Sequence, residues 1–161
     1  MLNKCLKNLS EYAQKLYLSV GENTKLPGID RKADVFIEGW SFGHTIIENE
    51  NNVDACVNAI LEDISAHLEG TGHIVIIESL GTFVSKPTVK REAIRVFFEL
   101  LENTYGFKKQ ILSTDYRFST FKEAAEVMGF FFGDDMKRSI VKSKLHIIPE
   151  FTGIWYSSLG R

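Results

Sequence analysis

Four β-branched residues follow one another at Ile74–Ile77, within the segment HIVIIESL (residues 73–80). Such residues fit the pleated surface of a strand, and this segment is the clearest strand signal in the chain. A second, mostly apolar run, ADVFI at 33–37, is of the kind that parallel sheets bury on both faces. Between the two, residues 53–68 carry a helical stripe of apolar side chains. A strand, a helix and a second strand predict an α/β sheet.

The rest of the chain extends this alternation of helices and strands. The further predicted elements are a helix over 2–16, strands at 16–20, 108–118 and 151–159, a helix over 94–105 closed by Gly106, and a helix from Phe121 to Phe132. A capping box of Thr120 and Glu123 begins that last helix, and Gly133 ends it. GTG at 70–72 is predicted to end the helix over 53–68. We expect one domain over residues 1–161, with helices on both faces of the sheet.

Composition narrows the class of protein. The chain has 161 residues, of which 44% are hydrophobic and 25% charged, as in an ordinary globular domain. A net charge of −2 gives no electrostatic reason to expect nucleic acid or a membrane surface as a partner. No apolar run approaches the ~20 residues of a membrane helix, and MLNKCLKNLSEY lacks the apolar core of a signal peptide. Cys5 and Cys56 lie at apolar helical positions, which favours buried free thiols over a disulfide. We predict a cytoplasmic protein.

Several common sites are excluded by their missing motifs. The four histidines and two cysteines show no metal-ligand spacing, so we expect no metal. The chain has neither the GxSxG elbow of a serine hydrolase nor the GxxxxGK[ST] phosphate loop. GTG at 70–72 follows a helix and precedes a strand, whereas a phosphate-cradling loop follows a strand and opens a helix.

Three strand ends remain as candidates for a site. GEN (21–23), GWSFGH (39–44) and ESLG (78–81) each follow a predicted strand, and in a parallel sheet these loops gather along one edge. Polar groups among glycines suit a nucleoside-like ligand, because the backbone can approach it closely. The alternative is that these residues only turn the chain.

Taken in order, several segments resemble the class I S-adenosylmethionine-dependent methyltransferases, in the branch that acts on small molecules. The matching segments are Met1-Leu2, Gly21-Glu22, Leu26-Pro27, 33–40, 72–81, 115–118, 122–125, 130–133, 149–150 and 152–155. The resemblance covers the whole chain but only about the last two-thirds of the family's domain. The series is informative because of its order, since no single segment is specific.

The resemblance implies an α/β, Rossmann-like three-layer sandwich, an incomplete methyltransferase sheet with an antiparallel C-terminal strand. It implies S-adenosylmethionine as cofactor and a small-molecule methyl acceptor. Glu22 and Asn23 would lie by the adenine ring, and Gly39, Trp40 and Ser41 beside the methionyl part. His44 would face the acceptor as a catalytic base, with Tyr116 as an alternative. Trp40 as a core plug and His44 as a loop cap are the structural alternatives.

The chain departs from the family by a gap in the middle of the sheet, because a pair of strands is missing between the strand at 16–20 and ADVFI. The family's glycine-rich loop and the acidic strand end that holds the ribose would lie before Met1. In the family's strand order, 3-2-1-4-5-7-6, ADVFI would be strand 4 and would have an exposed edge. We expect this edge to pair with a second copy, with a separately encoded N-terminal half, or with residues 16–20.

Three hypotheses about function follow. The first is a small-molecule methyltransferase, or a piece of one, that binds S-adenosylmethionine weakly or not at all as an isolated chain. The second is a non-catalytic methyltransferase-like module that pairs with a partner chain. A flavodoxin-like or nucleotide-binding domain ranks last, because GENTKLPG (21–28) is a poor phosphate loop.

Overall fold

The computed structural model describes residues 18–28 and 31–158. The strand expected at ADVFI is present and is the first strand of the main sheet. In chain order the elements are β1 (Ala33–Gly39), α1 (Phe42–Glu48), α2 (Val53–Ala66), β2 (Leu68–Thr82), α3 (Glu92–Glu99), β3 (Lys108–Ser113), β4 (Tyr116–Arg117), α4 (Phe121–Phe132), α5 (Asp134–Ser143), β5 (Ile147–Ile148) and β6 (Glu150–Ser158). A 3-10 turn joins α1 to α2, and a π-helical turn extends α3. The α/β class is confirmed.

The main sheet has four strands in the order β1-β2-β6-β3. β1 pairs with β2 in parallel, while β6 pairs with both β2 and β3 in antiparallel register. β1, β2 and β3 therefore run in one direction, and β6 runs between β2 and β3 in the other. β4 and β5 form a separate two-stranded sheet.

Helices α1, α2 and α3 pack on one face of the main sheet. Alternate residues of β2, including Ile74, Ile76 and Leu80, are buried toward these helices together with Trp155 of β6. The apolar stripe predicted for residues 53–68 lies in this core, for example at Ile60. Periodicity of two in the strands and of 3.6 in the helices produces one continuous apolar layer.

Helices α4 and α5 form a second, smaller core. Ala124, Ala125 and Met128 of α4 are buried with Ile140 of α5 and Ile148 of β5. The predicted cap of α4 is confirmed, because the Thr120 hydroxyl accepts a hydrogen bond from the Glu123 amide.

The other face of the main sheet is exposed along β1 and at the end of β6, in the part of the chain that the structure describes. Val35 and Ile37 of β1 are 47% and 65% exposed, and Tyr156 of β6 is also exposed. The expectation that parallel packing buries ADVFI on both faces is therefore wrong for the described residues. Its physical reason is that β1 lies at an edge of the sheet and that α1, α2 and α3 pack on the opposite face.

Several predicted boundaries also differ. GTG (70–72) does not end a helix: α2 ends at Ala66, and these residues belong to β2, which begins at Leu68 to pair with Ala33. The segment predicted as one strand over 108–118 forms β3 and β4, separated at Thr114 and Asp115.

Two helices appear where none was predicted, α1 within and after GWSFGH and α5 over Asp134–Ser143. In the segment predicted as a strand at 16–20, residues 18–20 form no strand, and residues 16 and 17 lie outside the described residues, as does the helix predicted over 2–16. Cys56 is a buried free thiol whose pKa is raised by burial, whereas Cys5 lies outside the described residues. None of the described helices combines the length and apolar character needed to cross a membrane.

Candidate functional site

The turn from β1 into α1 lies at the carboxyl edge of the parallel strands. Trp40 follows Gly39 with φ of +58°, a left-handed conformation that is uncommon for a bulky residue. Its amide donates to the Ile77 carbonyl at 2.9 Å, which continues the pairing with β2. The turn leaves the indole 56% exposed, so Trp40 is not the core plug considered as an alternative.

Glu38 holds this turn from within β1. Its buried carboxylate accepts hydrogen bonds at Oε1 from the Ser41 amide at 2.5 Å, the Ser41 hydroxyl at 2.9 Å and the Phe42 amide at 3.1 Å. These are the first amides of α1, so a strand residue caps the helix from four positions before it. The Ser41 side chain itself makes no capping bond.

Glu78 of β2 is the second buried carboxylate at this edge. Its Oε1 accepts a hydrogen bond from the Gly43 amide at 2.7 Å. Burial, and after it the charge of Glu38, raises the pKa of Glu78 to about 7, although hydrogen bonds from backbone amides act in the opposite direction. Glu78 can therefore hold or release a proton near neutral pH.

Asn23 joins the preceding loop to the turn. Its side-chain amide donates to the Ser41 carbonyl at 3.1 Å and to the Thr45 hydroxyl at 2.8 Å. The same loop is held by a hydrogen bond from the Leu26 amide to Asp63 Oδ2 at 2.7 Å. The structure thus brings together Asn23 and Ser41, which the sequence places eighteen positions apart.

The other predicted site residues lie nearby with fewer contacts. Gly39 is the last residue of β1, and a methyl group added to it would meet nothing within 4 Å. Glu22 is exposed, and its backbone bridges to Lys25. His44 is exposed in the first turn of α1.

A cavity of about 270 Å3 opens on the exposed face of the sheet beside Trp40. Its lining residues are Trp40, Ile77, Leu112, Thr114, Tyr116, Glu150, Thr152 and Ile154. Of these, only Trp40 and Tyr116 have a site role that is predicted from the sequence. The sequence signal for Glu150 is a charged residue that opens an otherwise mostly apolar strand.

Two further cavities lie away from this edge. One of about 260 Å3 lies near the start of β1, between Leu26, Phe36 and Leu68. The other, of about 330 Å3, lies on α5 and includes Lys137 and Arg138. These two cations form ion pairs with Glu126 and Asp135, which is typical of a solvated charged face.

Trp40 and the strand end at Gly39 form an exposed surface at this edge, and Asn23 lies within one hydrogen bond of that turn. No cluster of three metal-ligating side chains occurs in residues 18–28 and 31–158. A scan against models of known protein families finds no match, and a search of curated proteins finds none with significant similarity.

Proposed function

We propose that the chain is the carboxyl-terminal part of a Rossmann-like, S-adenosylmethionine-dependent methyltransferase that acts on a small molecule. One observation carries this proposal: the strand order β1-β2-β6-β3, in which β6 alone is reversed. The family has the order 3-2-1-4-5-7-6 with a final antiparallel strand. Its last four positions, 4-5-7-6, repeat the order and the directions of β1, β2, β6 and β3.

The position of the polar residues supports the same proposal. Ligands of open α/β sheets bind at the carboxyl ends of the strands, and Asn23, Trp40 and Ser41 lie at that edge. The cofactor, when bound, supplies an electrophilic methyl group. The residues of this chain would hold its methionyl part at Gly39, Trp40 and Ser41, and its adenine by Glu22 and Asn23.

For methyl transfer, the protein mainly has to position the methyl donor and the acceptor. His44 would serve as a base only for an acceptor that must lose a proton. The family's glycine-rich loop and ribose-binding acid have no counterpart among the residues of this chain, so we expect a Kd of about 1 mM or weaker for the chain alone, equivalent to about 4 kcal/mol of binding free energy.

An NMR titration with S-adenosylhomocysteine tests the proposal. Amide shifts should change at residues 38–45 and at Asn23, with ATP as the control nucleotide. Trp40→Ala should abolish these changes, whereas Tyr156→Ala, which removes another exposed aromatic side chain from the same face, should retain them. No change at this edge, or the same change with ATP, contradicts the proposal. A micromolar Kd contradicts the expectation of a weakened site.

A second candidate is a non-catalytic methyltransferase-like module that pairs with another chain. The observation that favours it is the edge strand β1, which among described residues has β2 on one side only and exposes Val35 and Ile37. An unpaired apolar edge invites pairing with another strand.

Light scattering after size-exclusion chromatography separates homodimerisation from pairing with a different chain. If copies pair through β1, Ile37→Lys should convert a dimer to a monomer, and Val127→Lys on α4 should leave it dimeric. A monomer at every concentration contradicts homodimerisation. A strand followed by a glycine-rich loop in the reading frame upstream of the gene would instead support pairing with a separately encoded half.

A further inference from the structure

The side chain of Glu150 is buried with only half of its carboxylate satisfied. It is 3% exposed, and its Oε1 accepts a hydrogen bond from the Ser79 hydroxyl at 2.7 Å. Its Oε2 is buried and has no hydrogen-bond partner among the described residues. A buried acceptor without a partner is destabilising, and more so when it is charged. Glu150 is therefore a residue whose burial is costly until a donor reaches it.

Glu150 lines the cavity on the exposed face of the sheet. Trp40, Ile77 and Ile154 are apolar or aromatic lining residues, and Thr152 and Tyr116 add hydroxyl groups. The volume of about 270 Å3 approaches the lower end of the range for small-molecule pockets, about 300–1,000 Å3. A largely apolar cavity with a few convergent polar groups is typical of a small-molecule site.

The charged side chains at this cavity are carboxylates. Among the described residues, its lining includes no lysine, arginine or histidine. Asp115 adds a second carboxylate, whose Oδ1 accepts a hydrogen bond from the Glu150 amide at 3.3 Å. Burial, and then the charge of Glu150, raises the pKa of Tyr116, so this phenol stays protonated at neutral pH. An anion would be repelled here, and a cation attracted.

We propose that this cavity binds a small organic ammonium ion whose N–H group donates to Glu150 Oε2 while the indole face of Trp40 lies against the charged group. Charge-assisted hydrogen bonds are roughly twice as strong as neutral ones, and an indole face adds an attraction for cations. A sulfonium ion has the charge but no N–H donor, so the geometry favours an amine. The proposal does not depend on methyl transfer, because binding is measured without a methyl donor.

A series of ligands with the same phenyl group isolates the charge. We suggest 2-phenylethylamine, 2-phenylethanol and 3-phenylpropionate, with binding followed by NMR shifts of residues 112–116 and 150–154. The ammonium should bind at least about tenfold more tightly than the alcohol, and the carboxylate should not bind. Equal affinity for the amine and the alcohol, or no binding by any of the three, overturns the proposal. The latter outcome would mean that the cavity holds water only.

Two variants test whether Glu150 causes the preference for the ammonium over the alcohol. Glu150→Gln keeps the size of the side chain and should reduce the preference for the ammonium to within about twofold of the alcohol. Glu48→Gln removes the same charge from an exposed position at the end of α1 and should keep the preference. Retention of the preference in Glu150→Gln overturns the assignment.

Trp40→Ala provides a second, independent variant in case Glu150→Gln does not fold. Because Trp40 is largely exposed, its removal should leave the fold intact. The affinity for the ammonium should fall about 2- to 30-fold. An unchanged affinity in a folded Trp40→Ala variant places the ammonium outside this cavity and overturns the proposal.

Discussion

The two faces of the main sheet contrast in what lies against them. On the helix-covered face, Trp155 is fully buried and stacks on Phe98 with ring centroids 4.1 Å apart. On the open face, neighbouring Tyr156 is exposed, and Glu150 lies buried in the cavity wall with one oxygen unpaired among the described residues. The stability of the fold is therefore expected to reside mainly on the first face, while the second offers exposed apolar surface and a cavity to a ligand or a partner.

The largest effect on the free energy of unfolding is expected for Trp155, and its neighbour Tyr156 provides the comparison. Trp155→Ala should lower the free energy of unfolding by about 3–5 kcal/mol, because it leaves a cavity against Phe98. It also removes the hydrogen bond from the indole to Glu102 Oε1. Tyr156→Ala should cost less than about 1 kcal/mol. Urea unfolding followed by circular dichroism measures both, and equal losses would contradict a division of stability between the two faces.

The pH dependence of stability should reveal the buried Glu78 on the helix-covered face. Its pKa is about 7 in the folded chain, against a usual value near 4.5. Between these pH values the folded chain keeps a proton that the unfolded chain has lost, so the free energy of unfolding falls as pH rises from about 4.5 to about 7. The loss is on the order of 3 kcal/mol and is complete above about pH 7.

Glu78→Gln should flatten this slope and raise stability at pH 8, because the amide oxygen can still accept from Gly43. Glu48→Gln, at an exposed position, should leave the slope unchanged. Urea unfolding at pH 5, 6, 7 and 8 provides the comparison. A slope that persists in Glu78→Gln would assign it to another group.

Alanine substitution of Gly153, compared with Gly39, should have an intermediate effect on stability. A methyl group at Gly153 would overlap the Trp155 ring, and Leu80 Cδ1 would lie 3.2 Å away. Gly153→Ala should therefore cost about 1–3 kcal/mol through overpacking. Gly39→Ala meets nothing within 4 Å and should leave stability unchanged or raise it by up to about 1 kcal/mol. Similar melting temperatures for the two variants would refute the packing that is described for Trp155.

The smallest effect is expected for Ile37→Thr on the open face. Threonine keeps the β-branch, and the position is mostly exposed, so stability should change by no more than about 0.5 kcal/mol. Ile76→Thr provides the matched control, because this fully buried isoleucine faces the helices and its replacement buries a hydroxyl. A large loss in Ile37→Thr would mean that the open face is covered in solution.

β1 and β2 could be predicted because their apolar runs are long, but the ends of β2 could not, and the two-residue strand β5 was not predicted. Gly70 and Gly72 are typical of a helix terminus, yet they lie within β2 because that strand begins at Leu68, opposite Ala33. Helix α1 was missed for a related reason. Its first amides are held by the carboxylate of Glu38, a strand residue, rather than by the side chain at the cap.

Only those residues of the candidate site that follow predicted parallel strands could be predicted from the sequence. The loops at 21–23 and 39–44 were expected to gather along one edge, and Asn23 does contact Ser41. The expected reason does not hold, because residues 18–20 form no strand. Glu150 was missed as a site residue, although the expected final strand begins beside it. β6 is antiparallel, so its first residue lies at the edge where β2 ends. Only the reversal of one strand brings Glu150 to Ser79, which precedes it by 71 positions.

The length of β2 has a mechanical consequence. Its fifteen residues extend about 50 Å, at ~3.3 Å per residue, through the main core. The next residue, Phe83, packs on the smaller α4–α5 core, and its amide donates to the Pro149 carbonyl at 2.7 Å. Neighbouring residues of one chain segment thus anchor in both cores, and we expect the loss of the smaller core to free the end of β2 at Thr82 and Phe83.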